Sequence, residues 1–236
     1  MKLFSSAELR SVWGSLKIDA FTTRILVDPI AVPLVVLCSK NKSVTPNRIT
    51  LLAFGAGAIS AWMFYSGSFI YGATWYYIFW LLDSIDGKLA RLTRNFHPHG
   101  AFFDFVVDRT IVSAMSFAIT TVFVRDGMLT EAALMGVFVL VFLMKDVLDL
   151  KLREVSARDG KWQASQADEG DSVWVLAKYR VHFKPGQILS CFLAFLVAPL
   201  SLKYEPVLSI AIVLVLISIL SNVILPFVSS SRRETA

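Results

Sequence analysis

Cysteine and charge are both scarce in this sequence. Two cysteines occur among 236 residues, Cys38 and Cys191, and each is surrounded by apolar residues. Two distant cysteines exclude a disulfide framework, and they lack the paired spacing of a structural zinc site. Charged residues make up 17% of the chain, whereas hydrophobic residues make up 56% and the mean hydropathy is +0.62. This balance is typical of a protein with several membrane-spanning helices.

A basic stripe interleaved with aromatic residues is also missing. The formal net charge is +5 and the sequence pI is about 9.3, but the basic residues are spread among loops. The basic excess therefore does not indicate nucleic-acid binding. The sequence has no internal repeat and no low-complexity tract, so we expect no second globular domain.

Residues 1 to 24 predict an amphipathic helix. Leu9, Trp13 and Leu16 fall on one face of such a helix, and Lys17 lies away from that face. The segment lacks the continuous apolar run of a cleavable signal peptide. We therefore expect a helix that lies in the interface on lipid headgroups, with a surface helix packed on the protein's own loops as the alternative.

Six apolar segments are each close to the length that a bilayer core requires. They are residues 48 to 66, 69 to 92, 100 to 123, 129 to 150, 186 to 202 and 206 to 228. Residues 25 to 38 are shorter and contain Asp28 and Pro33, which favours an interfacial or re-entrant segment. The prediction is an all-α, polytopic membrane protein with a juxtamembrane segment (residues 1 to 44) and a six-helix transmembrane domain (residues 45 to 236).

The basic residues also predict the orientation in the membrane. Of the 23 Lys and Arg residues, only Arg125 and Lys203 fall in loops assigned to the non-cytoplasmic side when the N-terminus is placed in the cytoplasm. The positive-inside rule therefore predicts that both termini are cytoplasmic. The long polar segment of residues 151 to 184 lies on the same side, either as a cap over a site or as a solvated loop.

Four aspartates and one arginine lie in or beside the apolar segments at the centre of the chain. With three small residues they form a spaced pattern: Asp83, Asp86, Gly87, Ala90, Arg91, Gly100, Asp104 and Asp108. The first five share one helical stripe and the last three share another. An aspartate at the centre of a membrane helix costs about 2.5 to 3.5 kcal/mol, so these carboxylates need partners, water or metal.

Two antiparallel helices joined by a short turn at residues 95 to 99 would direct both stripes into one cavity at the cytoplasmic end. Four carboxylates there repel one another, and hard divalent cations relieve that repulsion. Two metal ions are the natural complement and suit displacement at phosphorus. A structural alternative has two buried ion pairs, Asp83 with Arg91 and Asp104 with Arg109, and explains two of the four carboxylates.

The eight-residue pattern resembles, without a departure, the motif of the CDP-alcohol phosphotransferase family, integral membrane enzymes that make phospholipids. Thr45-Pro46-Asn47, just before an apolar helix, resembles the family's entry to its first span. The resemblance implies an enzyme that binds a CDP-linked donor and releases CMP when an alcohol hydroxyl attacks phosphorus. It also implies Mg²⁺ or Mn²⁺ as cofactor, and a homodimer.

The resemblance further implies roles for individual residues. The implied metal ligands are Asp83, Asp86, Asp104 and Asp108, with Asp108 also the general base. The implied donor-binding residues are Asp83, Gly87, Ala90, Arg91 and Gly100, where small residues admit the nucleotide and Arg91 supplies a cation. If the acceptor carries a phosphate, the candidate cations for it are Lys145, Lys151, Arg153 and Arg180. The alternative is that these four basic residues follow from the positive-inside rule alone or contact lipid headgroups.

The expected reaction is transfer of a phosphatidyl group from CDP-diacylglycerol to a small polar alcohol such as inositol phosphate or glycerol phosphate. The alternative within the family is transfer of a phospho-alcohol group from soluble CDP-choline or CDP-ethanolamine to diacylglycerol. Two other classes place carboxylates in membrane helices, ion transporters and intramembrane aspartyl proteases. The first would more typically show paired repeats, and the second gives no reason for the spaced glycine, alanine and arginine. We expect a cell membrane in a prokaryote and an internal membrane in a eukaryote.

Overall fold

The computed structural model describes most of the apolar part of the chain. The described residues are 19 to 41, 43 to 94, 98 to 158, 175 to 176, 181 to 182, 187 to 201 and 203 to 220. Most of the predicted N-terminal amphipathic helix therefore lies outside the described residues, as does much of the polar segment 151 to 184.

Helices make up nearly all of the described chain, which confirms the predicted helical class. In order they are α1 (Asp28–Ser39), α2 (Pro46–Tyr65), α3 (Phe69–Thr93), α4 (Pro98–Arg125), α5 (Leu129–Arg158), α6 (Gln187–Phe192), α7 (Ala198–Ser201) and α8 (Tyr204–Ile219). A π-helical turn (Thr23–Val27) precedes α1, and a second one (Leu193–Val197) joins α6 to α7.

A small sheet accompanies the helices. Its strands have two residues each: β1 (Asp19–Ala20), β2 (Val175–Leu176) and β3 (Val181–His182). The strand order is β1-β3-β2, with β1 parallel and β2 antiparallel to β3. The sequence did not predict this sheet because strands of two residues leave no periodic pattern.

Two of the described helices have the length and apolar composition of a membrane span, Pro46–Tyr65 and Phe102–Arg125. Shorter apolar helices cover Ile188–Ser201 and Tyr204–Ile219. The α3 and α5 helices have 25 and 30 residues, but each carries several charged side chains in its C-terminal half. The six segments predicted from sequence begin within two residues of observed helices, whereas the count of six spans stays a prediction.

The α2 helix lies between α3 and α4 and packs along both. Gly57 makes the contact with α4 possible, because a Cβ at this position would lie 2.5 Å from Cγ2 of Ile111. On the other side, the Ser60 hydroxyl donates a hydrogen bond of 2.8 Å to the carbonyl oxygen of Gly72 on α3. Among the described residues, the α3 and α4 backbones approach each other at few points. The α2 helix therefore sets the separation of α3 and α4.

Aromatic rings close one end of the helical bundle. Phe69 begins α3, Phe123 lies near the end of α4 and Tyr204 begins α8. The ring centroids of Phe123 and Tyr204 are 4.8 Å apart, and those of Phe69 and Tyr204 are 5.3 Å apart. Because α3 runs away from this cluster and α4 runs back towards it, the end of α3 and the start of α4 meet at the opposite end of the bundle.

Candidate active site

Three carboxylates converge where α3 ends and α4 begins. Asp83 lies on α3, and Asp104 and Asp108 lie one turn apart on α4. Each offers a carboxylate oxygen, and these oxygens all lie within 4.8 Å of one another. All three side chains are half-buried. Oxygen atoms of like charge at this separation repel one another, and this donor set is the kind that binds a hard divalent cation.

One carboxylate oxygen in this cluster supports a cation site directly. Asp104 Oδ1 is buried and has no hydrogen-bond partner among the described residues. A buried carboxylate oxygen without a hydrogen-bond donor is unfavourable unless a positively charged group lies next to it. The donor set and the unsatisfied Asp104 oxygen therefore fit a divalent ion.

The fourth aspartate of the motif lies beside this cluster but has a protein partner. Asp86 is 3% exposed and one turn beyond Asp83 on α3. The hydroxyl of Thr50 on α2 donates a hydrogen bond of 2.6 Å to Asp86 Oδ2. Three of the four predicted carboxylates therefore form the close cluster, and the fourth is held by α2. Thr50 was not among the predicted site residues; it follows the Thr45-Pro46-Asn47 segment by one helical turn.

A fixed guanidinium lies next to Asp108. Arg109 Nε donates to Asp146 Oδ2 on α5, and Arg109 Nη2 donates to Asp146 Oδ1 at 2.8 Å. The same guanidinium places Nη1 3.7 Å from Asp108 Oδ2. It also lies over the rings of Phe105 and Phe142, with its central carbon 4.8 and 5.3 Å from the two centroids. The structural alternative that paired Arg109 with Asp104 is therefore wrong about the partner, because Asp146 takes the bidentate contact.

Asp146 was also not among the predicted site residues. It lies in a predicted apolar segment next to Lys145, and its partner Arg109 is 37 residues away on another helix. A charged residue in a membrane helix is a sign of function, and that sign was present at Asp146. No rule of spacing connects two residues on different helices at this separation.

The α3 stripe continues from the carboxylates to the residues predicted to bind the donor. A Cβ on Gly87 would lie 3.5 Å from Arg91 Nη1, which is an ordinary contact with the far end of a flexible side chain. Packing within the described residues therefore does not require glycine at this position. Ala90 and Gly100 are half-buried at the same end of the bundle.

The residues predicted to bind the acceptor are only partly described. Lys145 is 6% exposed, and its ammonium pairs with Asp149 Oδ2 one turn along α5. Lys151 is exposed and pairs with Glu154 at 2.9 Å. The side chain of Arg153 and the whole of Arg180 lie outside the described residues.

Apolar helices that carry a converging set of carboxylates define a helical protein with an acidic site. Residues 43 to 224 match the family model described as CDP-alcohol phosphatidyltransferase. This match covers more than half of the chain, and the chain belongs to the CDP-alcohol phosphatidyltransferase family. No curated protein matches the chain.

Membership of this family establishes the general activity. The protein is a transferase of class EC 2.7.8 that moves a phosphatidyl or phospho-alcohol group from a CDP-linked alcohol in phospholipid biosynthesis. The family is membrane-associated and generally depends on divalent metal ions. The transporter and aspartyl-protease alternatives are therefore not retained.

Proposed function

We propose that this enzyme transfers a phosphatidyl group from CDP-diacylglycerol to a small polar alcohol and releases CMP. The observation that carries the proposal is the convergence of Asp83, Asp104 and Asp108 at one end of an apolar helical bundle. In this proposal, residues 45 to 236 form the catalytic domain with six spans, and residues 1 to 44 form the juxtamembrane segment.

The proposed reaction is a displacement at the phosphorus that carries diacylglycerol. The hydroxyl oxygen of the acceptor forms a bond to this phosphorus, and the bond from phosphorus to the bridging oxygen of the diphosphate breaks. The electron pair of that bond leaves with CMP, and Asp108 takes the proton of the attacking hydroxyl. Arg109 lies next to this proposed base, with Nη1 3.7 Å from Asp108 Oδ2, and its positive charge attracts the carboxylate.

We assign Asp83, Asp86, Asp104 and Asp108 as the ligands of two divalent ions, either Mg²⁺ or Mn²⁺. When bound, such ions supply positive charge that neutralises the diphosphate and stabilises the leaving oxygen. The buried, unsatisfied Asp104 oxygen and the metal dependence of the family both support this assignment. The Thr50 hydroxyl fixes Asp86 in this arrangement.

The donor nucleotide is proposed to lie along the α3 stripe, with Asp83 among its contacts. Glycine at position 87 leaves space that a side chain would fill, and the Arg91 guanidinium borders that space. A cation there suits a diphosphate. Ala90 and Gly100 are the other small residues assigned to the donor.

Exposed apolar side chains support access for a lipid substrate. Phe102 and Val106 lie on either side of Asp104 in the α4 sequence and are 68% and 40% exposed. Large apolar side chains of this kind suit contact with lipid at the depth of the carboxylates. The acceptor assignment of Lys145, Arg153 and Arg180 belongs to the same proposal, as do the homodimer and the cytoplasmic position of the site and both termini.

The experiment that tests this function is CMP release by the purified protein in lipid nanodiscs. CDP-diacylglycerol and Mg²⁺ or Mn²⁺ are supplied with glycerol phosphate, inositol phosphate, inositol or serine as acceptor, one at a time. The proposal expects CMP release that depends on one acceptor and stops when a chelator removes the metal.

The same preparation is then given CDP-choline or CDP-ethanolamine together with diacylglycerol. Release with these soluble donors, and none with CDP-diacylglycerol, would overturn the proposed direction of transfer and establish the alternative one. Release that persists after complete removal of metal would overturn the metal assignment alone.

A further inference from the structure

Three charged side chains are buried together outside the carboxylate site. Arg24 Nη1 lies 2.6 Å from Asp28 Oδ2, and Lys88 Nζ lies 2.9 Å from Asp28 Oδ1. Lys88 also donates to the Ser84 hydroxyl, one turn earlier on α3. The side chains of Arg24, Asp28 and Lys88 are 8%, 0% and 2% exposed. Charges buried to this extent are unfavourable unless they are paired, and in a membrane protein they are a sign of function.

Lys88 lies on α3, which carries two of the four predicted metal ligands, but on a different side of that helix. It follows Asp83 by five residues on α3, which places it about 140° around the helix axis from Asp83. Asp28 begins α1, so the ion pair joins α1 to the side of α3 that does not carry the acidic stripe.

A second polar contact and an apolar cluster join the same two parts of the chain. The Tyr77 hydroxyl on α3 donates a hydrogen bond of 2.6 Å to the carbonyl oxygen of Leu26, just before α1. Tyr77 and Lys88 are about 16 Å apart along a helix axis. The helices α1 and α3 also share one buried apolar cluster, which includes Val32, Trp80 and Ile85. The two polar contacts therefore hold α3 at two separate heights, and both end on residues 26 to 28 at the start of α1.

Two contacts at different heights restrict how a helix rotates about its own axis. Rotation of α3 would swing Asp83 and Asp86 away from the α4 carboxylates, since their side chains extend from the axis. A displacement of about 1 Å in a catalytic arrangement is enough to lower a rate by about 100-fold.

We propose that Lys88 is a positioning residue for the transferase reaction. Its ion pair with Asp28 fixes the rotation of α3, so that Asp83 and Asp86 face Asp104 and Asp108. The inference rests on the proposed assignment of those four aspartates to the metal site.

The triad offers a matched pair of variants that separates positioning from folding. Lys88→Met leaves the Arg24–Asp28 ion pair, whose two charges cancel, within α1 and its preceding turn. It removes the ion pair that joins α1 to α3. Arg24→Met leaves the Asp28–Lys88 ion pair, whose two charges also cancel, so α1 stays joined to α3. Each variant removes one buried cation, so a general effect of lost charge is expected in both.

The expected result is a loss of turnover in Lys88→Met that Arg24→Met does not share. We expect kcat for CMP release to fall at least about tenfold in Lys88→Met, with KM for the donor changed less than about threefold, and to stay within about twofold of wild type in Arg24→Met. Lys88→Arg keeps a cation at this position and is expected to recover part of the lost kcat. The donor is CDP-diacylglycerol, or CDP-choline with diacylglycerol if the wild type releases CMP only with that pair.

A second measurement keeps the test independent of turnover and of the choice of substrate. Mn²⁺ affinity, read from the electron paramagnetic resonance signal of the free ion, is expected to weaken in Lys88→Met and not in Arg24→Met. Should Lys88→Met fail to fold, Asp28→Glu replaces it, because one added methylene keeps the ion pair but shifts α1 against α3; a fall in kcat is then expected. Wild-type kcat and Mn²⁺ affinity in Lys88→Met or Asp28→Glu would overturn the proposal, as would equal losses in Lys88→Met and Arg24→Met.

Discussion

Arg109 on α4 and Asp146 on α5 form a bidentate ion pair beside the acidic cluster. Arg109 Nη2 lies 2.8 Å from Asp146 Oδ1, and Arg109 Nε donates to the other oxygen of the same carboxylate. Because Arg109 also lies 3.7 Å from Asp108, the position of a fixed cation next to the proposed base depends on Asp146. This geometry connects α5 to the proposed chemistry on α4.

Removal of the Asp146 charge tests that connection. Asp146→Asn cannot hold the guanidinium with two carboxylate oxygens, and hydrogen bonds to charged groups contribute about 1.5 to 3 kcal/mol. We expect CMP release to fall at least about tenfold, corresponding to about 1.4 kcal/mol in the barrier. Asp126→Asn is the matched control, since Asp126 pairs with Arg125 at the other end of α4 and both side chains are at least half exposed. Equal activities of the two variants would contradict a role for Asp146.

Asp108→Asn tests the proposed general base. The amide cannot accept the hydroxyl proton, and a general base contributes about 100- to 10,000-fold to a rate. We expect turnover to fall within that range while binding of the nucleotide CDP remains measurable by equilibrium dialysis. Turnover close to that of the wild type would remove Asp108 from this role. Loss of donor binding together with turnover would instead indicate a role in the ground state.

Thr50→Val tests the contact between α2 and the acidic site. Valine has nearly the same shape as threonine but cannot donate the 2.6 Å hydrogen bond to Asp86. We expect a higher Mn²⁺ concentration for half-maximal CMP release in Thr50→Val and a value near that of the wild type in Thr50→Ser. Thr74→Val is the matched control, because the Thr74 hydroxyl bonds only to the Ile70 carbonyl oxygen among the described contacts. A shift of the same size in both valine variants would show that the Asp86 contact is not responsible.

Two neighbouring glycines on α2 are expected to differ in their effect on stability. A Cβ at Gly57 would lie 2.5 Å from Ile111, which is 2% exposed, whereas a Cβ at Gly55 meets nothing within 4 Å. Overpacking of this kind costs about 1 to 3 kcal/mol. Gly57→Ala should therefore lower the unfolding temperature in detergent. Gly55→Ala should leave it unchanged or raise it, because alanine favours helix by up to about 1 kcal/mol over glycine. The reverse order of the two unfolding temperatures would contradict the packing of α2 against α4.

The sequence was most informative where a pattern lies within one helix. The spacing of Asp83 on α3 and of Asp104 and Asp108 on α4 predicted carboxylates that face one another, and the structure brings these three together. The connection between the two helices is short, so the end of α3 and the start of α4 lie close together, and the spacing within each helix was enough to predict this convergence. The helix starts followed equally well from the apolar segments, because a bilayer-length helix is specified by local composition.

Contacts between residues on different helices were not predictable in the same way. Lys88 pairs with Asp28 and Arg109 pairs with Asp146, and in each pair the two residues lie on different helices, at a separation that no helical period reports. The position of α2 between α3 and α4 depends on the packing of small residues such as Gly57, whose partner Ile111 lies on another helix. Asp28 was read as a sign of an interfacial segment, whereas the structure buries it between two cations.

Mn²⁺ binding tests the central claim most directly, that the converging carboxylates form the metal site of this transferase. The protein in lipid nanodiscs is titrated with Mn²⁺ in the presence of CDP-diacylglycerol, and the free ion is followed by electron paramagnetic resonance. We predict saturable binding by the wild type and by Asp126→Asn, and binding at least about tenfold weaker in Asp104→Asn, since Asp104 contributes an oxygen to the cluster. Wild-type affinity in Asp104→Asn, or no saturable binding by the wild type, would contradict the account.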